Sequence, residues 1–245
     1  MAKIDSSWDT LYKVGGISFI IIGIWYGVST FFPYLFGIPA PGFSTPPIVT
    51  EQQYFDILSA YPTAATIFYV MYSISALLCI PALLALYVLL KDINKNAMLV
   101  AMGFVALWVV VEIGITEFNS LTLISLIQHY NGTTDTTMRA AYLAAAYYAL
   151  GVIPIATFYS YFLGSLGFLI ASFIMRRTFF RRGTALPGIA SNALGIVAAF
   201  VLFIPELSSI LLPTLNLYAL WNILVGAQLF KIGKRRSQAF IPPLN

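Results

Sequence analysis

Apolar residues dominate the chain in runs about as long as a bilayer is thick, and short polar or basic segments separate the runs. A helix needs roughly 20 consecutive apolar residues to cross a hydrocarbon core. Six runs therefore predict six membrane-spanning α-helices, at about residues 14–36, 64–90, 97–118, 152–175, 186–204 and 214–230. This spacing predicts an all-α, polytopic integral membrane protein in which residues 1–245 form a single six-helix bundle.

A helical hairpin between Leu84 and Glu112 is the best-defined element of this pattern. Apart from Glu112, its only charges lie in the sequence KDINK at residues 91–95, which predicts a short turn between two apolar helices. Either Asn94 or Asn96 can cap the third span, because an asparagine side chain accepts a hydrogen bond from a backbone N–H of the first turn.

Small residues recur on one face of two spans. Such residues let helices approach closely in a membrane. They predict one packing seam in the first span, at Gly16, Gly23 and Gly27, and a second in the fourth span, at Ser160, Gly164, Gly167 and Ala171.

The remaining segments are less regular. Residues 50–53 form a capping box for a short interfacial helix to about Ala60, and Pro81 is expected to kink the second span. The third span either protrudes past the bilayer or breaks near Asn119 and continues as an interfacial segment. Residues 140–150 predict an outer amphipathic approach to the fourth span, with Pro154 near the junction.

Composition supports the membrane assignment, since the chain is 60% hydrophobic and 9% charged with a mean hydropathy of +0.86. Soluble domains are about 25% charged. The first apolar run continues for a full span beyond Lys13, so we expect a retained span and not a cleaved signal peptide. With 245 residues, we expect no separate soluble domain.

The basic residues predict the orientation of the bundle. With the N-terminus inside, the only one of the thirteen Lys and Arg residues outside is Arg139. This distribution predicts a cell-membrane protein with both termini cytoplasmic, whose inner face contacts anionic lipid headgroups. The basic pI is thereby explained without nucleic-acid binding. The twelve residues inside are Lys3, Lys13, Lys91, Lys95, Arg176, Arg177, Arg181, Arg182, Lys231, Lys234, Arg235 and Arg236.

Few residues are suited to catalysis or to metal binding. The chain has a single histidine, His129, and a single cysteine, Cys79, whereas metal and haem sites need several such ligands with suitable spacing. We therefore expect no metal and no cofactor. Ser165 resembles an intramembrane nucleophile, but His129 is predicted on the far side of the membrane. An enzyme is the least favoured class.

A polar stripe follows one face of the third span. Trp108, Glu112, Thr116 and Asn119 are separated by four, four and three positions, a spacing that places them on one side of an α-helix. Ionisable residues within a membrane usually face the bundle interior and mark functional sites. We therefore predict a ligand-binding site here.

Two further residues complete the candidate site: Arg139, the cation expected on the same side, and Asn222, a possible hydrogen-bond donor. In the alternative interpretation Glu112 is structural, either protonated or paired, with Asn222 or Tyr148 as its partner. Glu117 is expected to lie at the interface with the headgroups.

Two stretches resemble a known family. They are LALYVLLKDINKN at residues 84–96 and LPGIASNALGIV at residues 186–197. With the glutamate of the third span and the closing Trp-containing span, they resemble the bacterial and archaeal six-span family called domain of unknown function 4386. The resemblance implies a six-helix fold and a membrane location but no activity. That family has an arginine one turn before the glutamate, where this chain has Trp108 and Val109.

Two functional hypotheses follow. The first is a protein that binds or transports a small lipophilic or cationic ligand in an outward-side pocket near Glu112. The second is an accessory or assembly subunit of a larger membrane complex, in which the small-residue seams contact other chains. A cavity that reaches Glu112 would favour the first, and a closed bundle the second.

Overall fold

The computed structural model describes residues 8–31, 35, 51–178, 180 and 182–239. Within these ranges every regular element is helical, which confirms the all-α prediction. The end of the first predicted span and the predicted cap at Thr50 lie outside the described residues. The helices are α1 (Asp9–Ser29), α2 (Glu51–Ala60), α3 (Pro62–Val111), α4 (Phe118–Gly132), α5 (Thr136–Met175), α6 (Arg182–Ala199) and α7 (Leu211–Ala239).

Shorter helical turns lie between some of these elements. A π-helical turn, Glu112–Glu117, joins α3 to α4, and two 3₁₀ turns, Phe200–Leu202 and Pro205–Ile210, join α6 to α7. The third predicted span therefore continues through Asn119 as helix. The predicted alternative of a break near Asn119 is not found.

Five stretches of helix in the described ranges are long and apolar enough to cross a membrane. Between 39% and 50% of the most apolar part of each is buried, so at least half of each faces outwards with its apolar side chains. A surface of this kind suits lipid and not water. The chain is thus a membrane protein built as a helical bundle. The five stretches are Asp9–Ser29, Pro62–Gly132, Thr136–Met175, Gly183–Leu202 and Pro205–Lys234.

α3 is bent back on itself at Asn94, whose φ of −155° and ψ of 88° are not helical. Tyr72 and Trp108 lie 36 positions apart yet line one cavity, whereas a straight helix would separate them by about 54 Å. The Asn94 Oδ1 accepts a hydrogen bond from the Ala97 N–H at 3.0 Å. The predicted hairpin is therefore confirmed, with Asn94 as the cap and arms at residues 62–93 and 95–111.

The first small-residue seam packs α1 against α7. A Cβ added at Gly16 would lie 2.7 Å from the backbone N of Phe230, and one at Gly23 would lie 2.7 Å from the carbonyl oxygen of Ala219. Real Cβ atoms do not approach backbone so closely, so glycine is required at both positions. The predicted seam is confirmed at Gly16 and Gly23 as an internal contact of the bundle, whereas a Cβ added at Gly27 would lie at an ordinary 3.9 Å from the Ala219 Cβ.

The second seam packs α5 against the second arm of α3. A Cβ added at Gly167 would lie 2.8 Å from the Ala101 carbonyl oxygen, and one at Gly164 would lie 3.1 Å from the Trp108 ring. This prediction is also confirmed. The seam brings α5 close to the polar stripe and thereby determines which α5 side chains can reach it.

α5 differs from the predicted fourth span at its start. It is one helix of 40 residues. Residues 140–150, which were predicted as a separate amphipathic segment before the fourth span, belong to the first part of this helix. Asp135 begins it, since its Oδ1 accepts hydrogen bonds from the backbone N–H groups of Thr137, at 2.8 Å, and Met138, at 3.1 Å. Pro154 lies inside the helix and does not end it.

Candidate functional site: a carboxyl pair in a buried cavity

A cavity of about 70 Å³ lies inside the bundle. Side chains from α1, both arms of α3, the π-helical turn, α5, α6 and α7 line it. Its walls are partly aromatic and partly hydroxyl-bearing, and two carboxyl groups face it. The lining residues of the first five elements include Tyr26, Tyr72, Trp108, Glu112, Thr116, Glu117, Thr157, Ser160, Gly164, Phe168, Ser191 and Asn192, and α7 adds Thr214, Leu215 and Tyr218.

The Glu112 side chain is only 8% exposed and lines the cavity at the end of the second arm of α3. The Ser160 hydroxyl on α5 donates a hydrogen bond to its Oε2. Ser160 belongs to the second seam, whose glycines let α5 approach closely enough for this contact. A hydroxyl donor stabilises the ionised form of a carboxyl group.

Glu117 is buried more deeply than Glu112, with 3% of its surface exposed, and it lines the same cavity. Its Oε2 has no hydrogen-bond partner among the described residues. Buried polar atoms are nearly always satisfied, so an unpartnered carboxyl oxygen facing a cavity indicates a place for water, a proton or a ligand.

The π-helical turn explains why both glutamates face inward. At the α-helical angle, residues five apart are separated by roughly 140° around the axis. In a π-helix the hydrogen bonds run between residues five apart, which brings those residues to the same side. The Thr116 hydroxyl accordingly reaches the Val111 carbonyl, five positions earlier, at 3.4 Å. Glu117 was predicted at the interface with the headgroups, whereas the structure buries it inside the bundle, where it lines the cavity.

Asn119, the fourth residue of the predicted stripe, does not line the cavity. It is half-exposed, and its Nδ2 donates to the Ile115 carbonyl at 2.7 Å. The π-helical turn changes the register, so the inward positions fall at Thr116 and Glu117 and Asn119 turns away. The structure thus brings Trp108, Glu112 and Thr116 together and leaves Asn119 out.

Neither of the other two predicted residues lines the cavity. Arg139 is exposed, and its guanidinium carbon lies 4.5 Å from the centre of the Tyr130 ring. Asn222 is buried, and its Nδ2 donates to the Tyr218 carbonyl at 2.7 Å. Tyr148 is 73% exposed and does not contact Glu112, whose partner is Ser160.

An aromatic cluster supports the cavity from the core of the bundle. The Phe168 ring lies 6.1 Å from the ring of Trp108, 6.0 Å from that of Tyr218 and 5.4 Å from that of Trp221, measured between centroids. Trp108, Phe168 and Tyr218 also line the cavity, so aromatic rings and the carboxyl pair share it. Aromatic faces attract cations through the ring quadrupole.

The ionisable side chains that line the cavity include acidic residues but no basic ones in the described part of the chain. No Lys, Arg or His lines it among the residues that the structure describes. Within the same residues, no three His, Cys, Asp or Glu side chains come together as a metal site would need. A site with carboxyl groups, aromatic rings and hydroxyls but no basic side chain is suited to a positively charged ligand.

Comparison with known proteins gives one match. The family model described as Domain of unknown function (DUF4386) matches residues 14–233. This confirms the resemblance found in the sequence. No curated protein and no solved structure matches the chain.

Proposed function

The chain belongs to the family described as Domain of unknown function (DUF4386), and we propose that it binds or transports a small lipophilic cation in the cavity at Glu112 and Glu117. The observation that carries the proposal is the carboxyl pair itself. Two buried carboxyl groups face one cavity, and no basic side chain lines it in the described part of the chain.

The walls of the cavity favour an organic cation over a hydrated metal ion. Trp108, Phe168, Tyr26 and Tyr218 present aromatic surface, and a desolvated cation over such a ring gains about 2 kcal/mol or more. A quaternary ammonium group has the matching chemistry, with a positive charge and an apolar surface.

We also propose a six-span topology with both termini in the cytoplasm. α3 crosses twice because of its reversal at Asn94, and α1, α5, α6 and α7 each cross once. One groove is lined by Ile93, Asn94, Arg176 and Arg177, so the turn of α3 and the end of α5 lie at the same end of the bundle. Clustering of basic residues at one end agrees with the positive-inside rule.

In this topology the cavity opens towards the outer side. Glu112 follows the turn at Asn94 by 18 residues, or about 27 Å of helix, and a hydrocarbon core is about 30 Å thick. The carboxyl pair therefore lies near the end of the bundle opposite the basic turn.

The accessory-subunit hypothesis has less support. It depended on small-residue seams that would be available to other chains. Gly16 and Gly23 instead pack against α7, and Gly164 and Gly167 pack against α3. Both seams are used within this chain, and the cavity at Glu112 favours the ligand-binding hypothesis.

Calorimetric titration of the purified, detergent-solubilised full chain tests the proposal. Choline and its neutral isostere, 3,3-dimethyl-1-butanol, have nearly the same shape and differ in charge. We expect choline to bind at least tenfold more tightly, a difference of about 1.4 kcal/mol. Equal affinities, or no binding of choline, would contradict the proposal.

A further inference from the structure

We propose that a cation entering the cavity displaces a proton from Glu112, while Glu117 keeps its own proton. The inference rests on the proposed function and adds to it a coupling between cation binding and proton release. It depends on three features of the described residues: the geometry of the π-helical turn, the unequal hydrogen bonding of the two carboxyl groups, and the absence of a basic side chain from the cavity lining.

The first step concerns the empty cavity. The π-helical turn places both glutamates on one side of the helix, and both line the same cavity within the bundle. Two carboxylates in a poorly solvated site repel each other, and an ionised group there needs a compensating charge. Since no basic side chain lines the cavity among the described residues, protons supply that compensation and the empty site is neutral.

The second step identifies which carboxyl group ionises. The Glu112 Oε2 accepts a hydrogen bond from the Ser160 hydroxyl, and this donor stabilises a carboxylate. The Glu117 Oε2 has no such donor among the described residues. Glu112 is therefore the group that gives up a proton, and Glu117 stays a neutral acid.

The other titratable groups that line the cavity are phenols, which are neutral near pH 7 and add no charge to it. α6 contributes Ser191 and Asn192, which do not titrate near neutral pH. The phenols come from α1, the first arm of α3, α5 and α7, and belong to Tyr26, Tyr72, Tyr161 and Tyr218.

The exchange conserves charge. The O–H bond of the Glu112 carboxylic acid breaks, its proton leaves through water, and the carboxylate that remains pairs with the positive charge of the cation. One positive charge enters for each one that leaves, so the site stays neutral. No covalent bond to the cation forms, and no redox partner is required.

Choline is a suitable probe because a quaternary ammonium has no proton to lose, so every proton released on binding comes from the protein and is taken up by the buffer. Titrations at one pH in phosphate and in Tris, whose ionisation enthalpies differ, give the number of protons released per choline bound. We expect close to one proton to be released for each choline bound. Choline affinity should also increase as the pH rises, by up to about tenfold per pH unit.

Glu117→Gln is the matched variant, since glutamine replaces a neutral acid with a neutral amide of nearly the same shape. Because Glu117 lines the site, the choline affinity of this variant can shift in either direction, and the readout is the number of protons released per choline bound, which we expect to stay close to one. If the Glu117→Gln protein binds choline but releases no proton, the released proton belongs to Glu117, and the inference is overturned.

The wild-type result separates the two proposals. Choline binding with no proton release and no pH dependence would overturn the inference and leave the proposed function standing. Choline that does not bind at all, at any pH between 6 and 9, would overturn both.

Discussion

The Ser160 hydroxyl on α5 donates a hydrogen bond to the Glu112 carboxyl, 48 positions earlier in the chain. Both groups are buried, with 4% of Ser160 and 8% of Glu112 exposed. The contact joins the second small-residue seam to the polar stripe of the third span. It therefore couples the packing of the bundle to the chemistry of the cavity.

Ser160→Ala should lower the stability of the bundle, because it leaves a buried carboxyl without its donor. The expected loss is about 1–3 kcal/mol, read as a lower midpoint of thermal unfolding in detergent. Ser73→Ala is the control, since the Ser73 hydroxyl donates to the Tyr69 carbonyl within its own helix. Equal midpoints for the two variants would show that the contact with Glu112 does not stabilise the protein.

Gly16→Ala should also destabilise the protein, because its Cβ would lie 2.7 Å from the Phe230 backbone and would force α1 away from α7. Overpacking of this kind costs about 1–3 kcal/mol. Gly103→Ala is the matched control, with nothing within 4 Å of the added Cβ, and should be neutral or stabilising by up to about 1 kcal/mol. Thermal unfolding followed by circular dichroism compares them, and a stable Gly16→Ala protein would refute the close packing.

The proposed topology predicts opposite accessibility for two exposed positions. In a Cys79→Ala background, Thr134→Cys should react with a membrane-impermeant maleimide on intact cells. Lys95→Cys, at the turn of α3, should react only after permeabilisation. The reverse pattern would mean that both termini lie outside.

Much of the fold could be predicted from the sequence because membrane helices leave long apolar runs and because charged turns interrupt them. The hairpin at Asn94 and the two glycine seams are examples, since each depends on local composition. The start of α5 was harder to predict because Pro154 suggested a boundary that the continuous helix does not have.

The candidate site was predictable only in part. Trp108, Glu112 and Thr116 are each four positions apart, as the sequence pattern required, and all three line the cavity. Glu117 was missed because no feature of the local sequence predicts the π-helical turn, and it is this turn that directs the Glu117 side chain inward. Ser160 appeared in the sequence only as a small seam residue, and its role as the partner of Glu112 depends on a contact between distant helices.

Choline titration of Glu112→Gln tests the proposed cation site most directly. Glutamine keeps an oxygen that can accept from Ser160, so the fold should be retained while the ionisable group is lost. The matched control is Glu206→Gln, at an exposed position outside the cavity. We predict at least tenfold weaker choline binding for Glu112→Gln and wild-type binding for Glu206→Gln. A folded Glu112→Gln protein that binds choline within twofold of the wild type would contradict a cation site at this carboxyl pair.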